Sequence, residues 1–65
     1  MNIHTIPTGT LFRLFRETLI TTSEVYYCHI HNIHKVKAHN FTLGKDEEIG
    51  EIAMFGANPL SKETK

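Results

Sequence analysis

The sequence predicts a mainly β fold, either a small five-stranded barrel or a bent antiparallel sheet. β-branched residues are numerous, with two Val, seven Ile and eight Thr among 65 residues, and these residue types favour strands. Short apolar runs also alternate with turn signals at the spacing that small all-β proteins show. The length allows one small domain over 1–65 and excludes a second.

The first twenty residues predict a loop followed by an ambiguous segment. Pro7 and Gly9 place a loop over 1–9. Residues 10–20 contain several β-branched side chains and no capping box, and we interpret them as a strand. Their periodicity instead favours a short amphipathic helix, which would give an α+β fold with the helix packed on a three-stranded sheet. The apolar face of that helix would hold Leu11, Phe12, Leu14, Phe15, Thr18 and Leu19.

Three further strands are predicted along the rest of the chain. Residues 24–31 are rich in Val, Tyr and Ile, as a half-buried strand is. Residues 33–43 form the next predicted strand, and a Gly-Lys-Asp sequence predicts the turn after it. The apolar run 49–55 predicts a last strand, and 57–65 a polar tail. Four or five strands of this length fit an SH3-like or OB-like barrel.

The composition excludes several classes of protein. One Cys cannot form an intrachain disulfide, and a lone thiol is typical of a reducing compartment such as the cytoplasm. The first residues lack the basic region of a signal peptide, and no apolar run approaches the roughly 20 residues of a membrane span. We therefore expect a cytoplasmic protein with no membrane partner. A chain this small often needs a further source of stability, and a metal, partner subunits or a bare but well-packed core remain. Of these three we favour partner subunits.

Four of the five His predict a metal site, as the alternative to a protein without a cofactor. Imidazole is the commonest metal ligand among side chains. The sequence His29-Ile30-His31 would place two imidazoles on one face of a strand, and a later His would add a third. The predicted ligands of zinc, or of another divalent transition metal, are His29, His31, His34 and His39.

The basic side chains lie mostly in the first part of the chain. Residues 1–40 hold four basic and two acidic side chains, and residues 41–65 hold three and five. A weak nucleic-acid or nucleotide site would combine a small basic patch with an aromatic platform. The neutral total charge argues against strong binding to phosphates. The predicted contact residues are Arg13, Arg16, Lys35, Lys37 and Tyr27.

The remaining patterns favour a binding protein over an enzyme. No nucleophile elbow, phosphate-binding loop or dinucleotide fingerprint is present. An apolar edge strand or helix near the start of the chain predicts self-association, through Leu11, Phe12, Leu14 and Phe15. The sequence thus predicts a small, non-enzymatic, oligomeric binding or regulatory protein that acts through protein–protein contacts, such as a viral-type accessory factor. The alternatives are a His-rich metal-binding protein and a weak nucleic-acid binder.

Overall fold

The computed structural model describes residues 1–60, and this part of the chain is mainly β, as predicted. A short 3-10 helix at Ile3–Thr5 precedes the strands. No helix within residues 1–60 has the length and apolar character that crossing a membrane requires. The elements are β1 (Leu11–Leu14), β2 (Glu17–Thr21), β3 (Tyr26–Cys28), β4 (Ile33–Asn40), β5 (Lys45–Gly50), α1 (Glu51–Met54) and β6 (Asn58–Pro59).

All strand pairs are antiparallel, and β4 lies at the centre of the sheet. β4 pairs with β5 along one edge and with β2 and β3 along the other. β1 lies beyond β2, and β6 returns to pair with β1. This order does not close into a ring, so the described residues form an open sheet that is compatible with the predicted bent sheet. The predicted barrel does not form in residues 1–60.

Residues 10–20 form a tight hairpin, so the helix alternative is wrong. β1 pairs with β2 in a register that places Phe12 opposite Leu19, and both side chains are buried. Side chains along β1 alternate between the core and the exposed face, as the pleat of a strand requires. The two-residue turn, Phe15–Arg16, contains none of the Gly, Asn or Asp residues that signal a hairpin. The apolar pattern of residues 10–20 therefore gives no sign that one strand ends and another begins at this turn.

Of the strand predicted over 24–31, only β3 forms a strand, and residues 29–32 form a turn. Asn32 has a φ of 57° in this turn, and Asn adopts this left-handed conformation more readily than most residues. The predicted H-x-H pair therefore lies in a turn rather than on one face of a strand. The prediction of a strand face for these two histidines is wrong.

The second half of the chain departs from the predictions on either side of β5. The strand predicted over 33–43 is β4, which is shorter, and a turn at 41–44 follows it. Gly44 has a φ of 70° there, which only Gly adopts without strain. The strand predicted over 49–55 is wrong, because α1 begins directly after β5. Met54 in α1 is completely buried, so the apolar run fills the core from a helix.

The core lies between one face of the sheet and a cover formed by the two ends of the described chain. The segment 1–9 contributes buried Ile3 and Ile6. From the predicted polar tail over 57–65, Ala57 is buried and β6 pairs with β1, and residues 61–65 lie outside the described part. The buried apolar residues are Ile3, Ile6, Phe12, Leu14, Leu19, Val36, Ala38, Ile49, Met54 and Ala57.

Candidate functional site

The structure brings three of the four predicted metal ligands to one end of the molecule. His29 and His31 lie in the turn after β3, and His34 lies near the start of β4. His39 lies near the opposite end of β4, where its Nδ1 is 2.7 Å from Asp46 Oδ1. His39 is therefore not part of the same cluster. Among residues 1–60, no three His, Cys, Asp or Glu side chains come close enough together to hold a metal ion.

Three imidazoles and one phenol form a row of rings at this end. Tyr27 and His34 are cross-strand partners, and their ring centres are 5.2 Å apart. His29 packs edge-on against Tyr27 at 5.0 Å. His4, from the 3-10 helix, packs edge-on against His34 at 4.6 Å. The rings contact one another through edges and faces, an arrangement that aromatic pairs prefer.

Glu51, the first residue of α1, fixes the position of His34. Its Oε1 accepts a hydrogen bond from the His34 backbone N–H at 3.0 Å and lies 3.6 Å from His34 Nδ1. The hydrogen bond from the His34 backbone, followed by the imidazoles of His34 and His4, lowers the pKa of Glu51. The ionised carboxylate thus ties α1 to β4.

A second group of side chains joins the turn to the outer face of the sheet. Cys28 Sγ lies 3.4 Å from His31 Nδ1. Lys35 Nζ lies 3.0 Å from the same nitrogen and 3.4 Å from Glu48 Oε1. A thiol, an imidazole, an ammonium group and a carboxylate therefore form a continuous chain of contacts. On a continuous strand Cys28 and His31 would point to opposite faces, and the turn at 29–32 brings them together instead.

Tyr26 lies beside this group on the outer face. Its hydroxyl is buried and makes no hydrogen bond of ordinary geometry within residues 1–60, although the Glu48 carboxylate is its polar neighbour. Burial, followed by the Glu48 carboxylate, raises the pKa of the Tyr26 phenol. The Tyr26 hydroxyl and the Lys35 ammonium in turn lower the pKa of Glu48.

The predicted nucleic-acid contacts do not form one basic patch. Lys37 lies in an open groove of about 350 Å³ whose other lining residues are Thr22, Asp46, Glu47 and Glu48. Asp46 and Glu48 lie on the same face of the sheet as Lys37, and two carboxylates beside one ammonium group disfavour a phosphate ligand. The other predicted contacts are spread over β1, its turn, and the opposite end of the sheet, at Arg13, Arg16, Lys35 and Tyr27.

The structure separates the four residues predicted for self-association. Phe12 and Leu14 are buried in the core, and Leu11 is half-buried. Phe15 is 82% exposed at the tip of the β1–β2 hairpin. Burial removes two of the four side chains from any surface, and Phe15 is the most accessible of them.

Two exposed apolar residues that the sequence analysis missed lie at the same end of the sheet as Phe15. Phe41 is 55% exposed and Leu43 is 52% exposed, both in the turn between β4 and β5. The Thr18 N–H donates to Thr42 Oγ1 at 2.9 Å, and the Phe41 N–H donates to the Thr18 carbonyl at 2.8 Å. These bonds hold the two turns side by side. We call these two neighbouring turns, with their exposed Phe15, Phe41 and Leu43 side chains, the apolar turn pair.

Comparison of the chain with protein-family models, curated proteins and solved structures found no match.

Proposed function

We propose that the chain is a small non-enzymatic binding protein that self-associates and acts through protein–protein contacts. The observation that carries this proposal is the apolar turn pair, in which three large apolar side chains are each more than half exposed. Single exposed apolar residues are ordinary, but several at one end of a small protein indicate a contact surface.

The backbone at Phe15 supports a functional role for this side chain. Phe15 has a φ of 59°, a conformation that costs a bulky residue free energy and that Gly adopts freely. The side chain is 82% exposed, so its burial contributes little to the stability of the fold. Strain of this kind is characteristic of residues kept for binding rather than for folding.

A second copy of the chain is the partner that the charges favour. Arg16 and Lys45 lie at the same end as Glu17 and Glu47. Because this end carries both signs of charge, a two-fold contact can bring opposite charges together across the interface. If the partner surface carried only one sign of charge, half of these groups would face a charge of their own sign.

The interface extends from the turns onto the outer face of the sheet. A stable interface covers about 800 Å² on each partner, which is roughly a fifth of the 4236 Å² that the molecule exposes. His39 packs edge-on against Phe41 at 5.1 Å, and Ile20 is the cross-strand partner of His39. These half-buried residues continue the apolar turn pair into a larger surface.

Light scattering over a range of protein concentrations tests this proposal. In metal-free buffer we expect the wild-type mass to rise with concentration toward that of a dimer. Phe15→Ala and Leu43→Ser should both remain monomeric. Ile30→Ala is the matched control, because Ile30 is 87% exposed in the turn at 29–32, at the opposite end of the sheet from the two turns. A wild-type mass that stays monomeric, or an equal loss of association in the control, would overturn the proposal.

A further inference from the structure

We propose that Cys28 and His31 form half of a zinc site, which the same two residues of a second copy complete. Cys28 Sγ and His31 Nδ1 are 3.4 Å apart. In a tetrahedral zinc site, Zn–S bonds of about 2.3 Å and Zn–N bonds of about 2.0 Å place the two ligand atoms about 3.5 Å apart. The turn at 29–32 therefore holds a thiol and an imidazole at the separation that one zinc ion requires.

The environment of the pair allows an ion to enter from solvent. His31 is exposed, and Cys28 is half-buried at the end of β3. Thiolate sulfur and neutral imidazole nitrogen are the two donor types that structural zinc sites use most. On binding, the Cys28 thiol loses its proton to solvent and Nδ1 of His31 stays unprotonated, so zinc binding strengthens as pH rises.

The ligand set within residues 1–60 is incomplete. A structural zinc ion has four protein ligands. No third His, Cys, Asp or Glu of the described residues lies close enough to join the pair. Two ligands from each of two copies give a Cys2His2 site, with the ion on the two-fold axis.

The pair lies where a second copy can reach it. β3 pairs with β4 along one side, and its other edge has no strand beside it within residues 1–60. The residues of the turn at 29–32 are all exposed, and Ile30 among them is 87% exposed. Two such turns can therefore meet face to face with the ion between them.

The positive charge of Lys35 repels a zinc ion at this site, so a Lys35 variant is a sensitive control for zinc binding. Its Nζ is 3.0 Å from His31 Nδ1, so the ammonium group must move before zinc can bind. Glu48 Oε1, at 3.4 Å from the same Nζ, gives the ammonium group an alternative partner. Removing this positive charge relieves its repulsion of a divalent ion, and we expect Lys35→Met to bind zinc roughly tenfold more tightly.

The test is a titration of the full-length, untagged, metal-free chain with zinc chloride in a thiol-free reducing buffer. A Phe15→Ala background excludes association through the apolar turn pair. Calorimetry should give one zinc per two chains, and light scattering should show the mass doubling over the same range. Cobalt(II) should give the intense visible bands of a tetrahedral thiolate site. Lys35→Met should strengthen binding.

Cys28→Ser and His31→Asn should each abolish both the stoichiometric binding and the change in mass, while His39→Asn should leave them intact. The proposal is overturned by the absence of stoichiometric binding, by one zinc per chain without association, or by binding that survives Cys28→Ser. Because the titration is made in the Phe15→Ala background, these results are independent of whether the metal-free protein self-associates.

Discussion

Asn40 is completely buried, yet its side chain joins three strands of the sheet. Its Nδ2 donates to Glu17 Oε1 in β2 and to Glu47 Oε2 in β5, both at 2.8 Å. Its Oδ1 accepts from the Leu43 N–H at 2.9 Å. A buried amide with three partners satisfies its polar groups and orients the turn that carries Phe41.

Replacing Asn40 should therefore destabilise the fold strongly. Asn40→Ala removes two hydrogen bonds to carboxylates and leaves the Leu43 N–H without its partner, at an expected cost of about 2–4 kcal/mol in the free energy of unfolding. Asn40→Asp should cost more at pH 7, because it places a third negative charge between Glu17 and Glu47.

Urea unfolding of both variants at pH 7 and pH 4 measures these effects. Acidification should recover more of the stability lost in Asn40→Asp than of that lost in Asn40→Ala, because the Asp variant has one more carboxylate to neutralise. Equal recovery in the two variants would show that charge repulsion is not the cause.

Phe15 gives a second prediction at this scale, because its backbone and side chain have separable effects. Phe15→Gly removes the cost of the positive φ, and we expect the free energy of unfolding to rise by up to about 1 kcal/mol. Phe15→Ala keeps that cost and should show no gain. Chemical unfolding of the two variants at a concentration where both are monomeric makes the comparison. A Phe15→Gly variant less stable than Phe15→Ala would contradict the inferred strain.

The sequence alone predicts the character of these residues better than their positions. Phe12 and Leu19 belong to an apolar alternation, and their burial follows from it. Asn40 is a polar residue within a predicted strand, and no local pattern indicates the two distant carboxylates that bind it. Phe15 looks like one more apolar residue of its segment, because only the three-dimensional turn exposes it.

At the scale of elements, the ionised Glu51 carboxylate connects α1 to β4 through the His34 backbone. That hydrogen bond lowers the pKa of Glu51 from its ordinary value of 4.5. Because the pKa is lower in the folded chain than in the unfolded one, the ionised form stabilises the fold. The stabilisation is complete above pH 4.5 and is lost as pH falls through the lowered value.

Thermal unfolding between pH 7 and pH 3 should show this dependence. Glu51→Gln removes the titrating group, so its melting temperature should fall less than that of the wild type below pH 4.5. Glu24→Gln is a matched control, because Glu24 is an exposed carboxylate on the connection between β2 and β3. Parallel curves for wild type and Glu51→Gln would show that this carboxylate does not stabilise the fold.

Elements with a clear period-two pattern and a turn signal are the ones that the sequence predicts well. β4 alternates between buried and less buried side chains, and its centre lies where it was predicted. α1 was missed because a short apolar run satisfies a strand and a buried helical turn equally. The Phe15–Arg16 turn was missed because its residues are not turn formers, so one predicted element became two strands.

At the scale of the whole molecule, the total exposed surface area is that of a compact monomer. A compact monomer of this mass exposes about 4200 Å², and the molecule exposes 4236 Å². The exposed Phe and Leu side chains are therefore not a sign of loose packing. They lie outside a core that is already complete, which is why we assign them to a contact between molecules.

The distribution of side chains along the sheet also separates two kinds of surface. Four of the five histidines, the free cysteine and the row of rings lie at the end formed by the turn at 29–32, and His39 is the exception. The apolar turn pair lies at the opposite end, among side chains of both charges. The sequence predicted both a His-rich and an apolar surface, but it could not place them at opposite ends without the strand pairing.

The most direct test of the account is a dilution series of amide nuclear magnetic resonance spectra on the metal-free wild-type chain. We predict that the resonances of Phe15, Arg16 and residues 41–44 shift with concentration, while those of residues 29–32 stay fixed. Spectra that do not change over the whole range, or shifts confined to residues 29–32, would contradict association through the apolar turn pair.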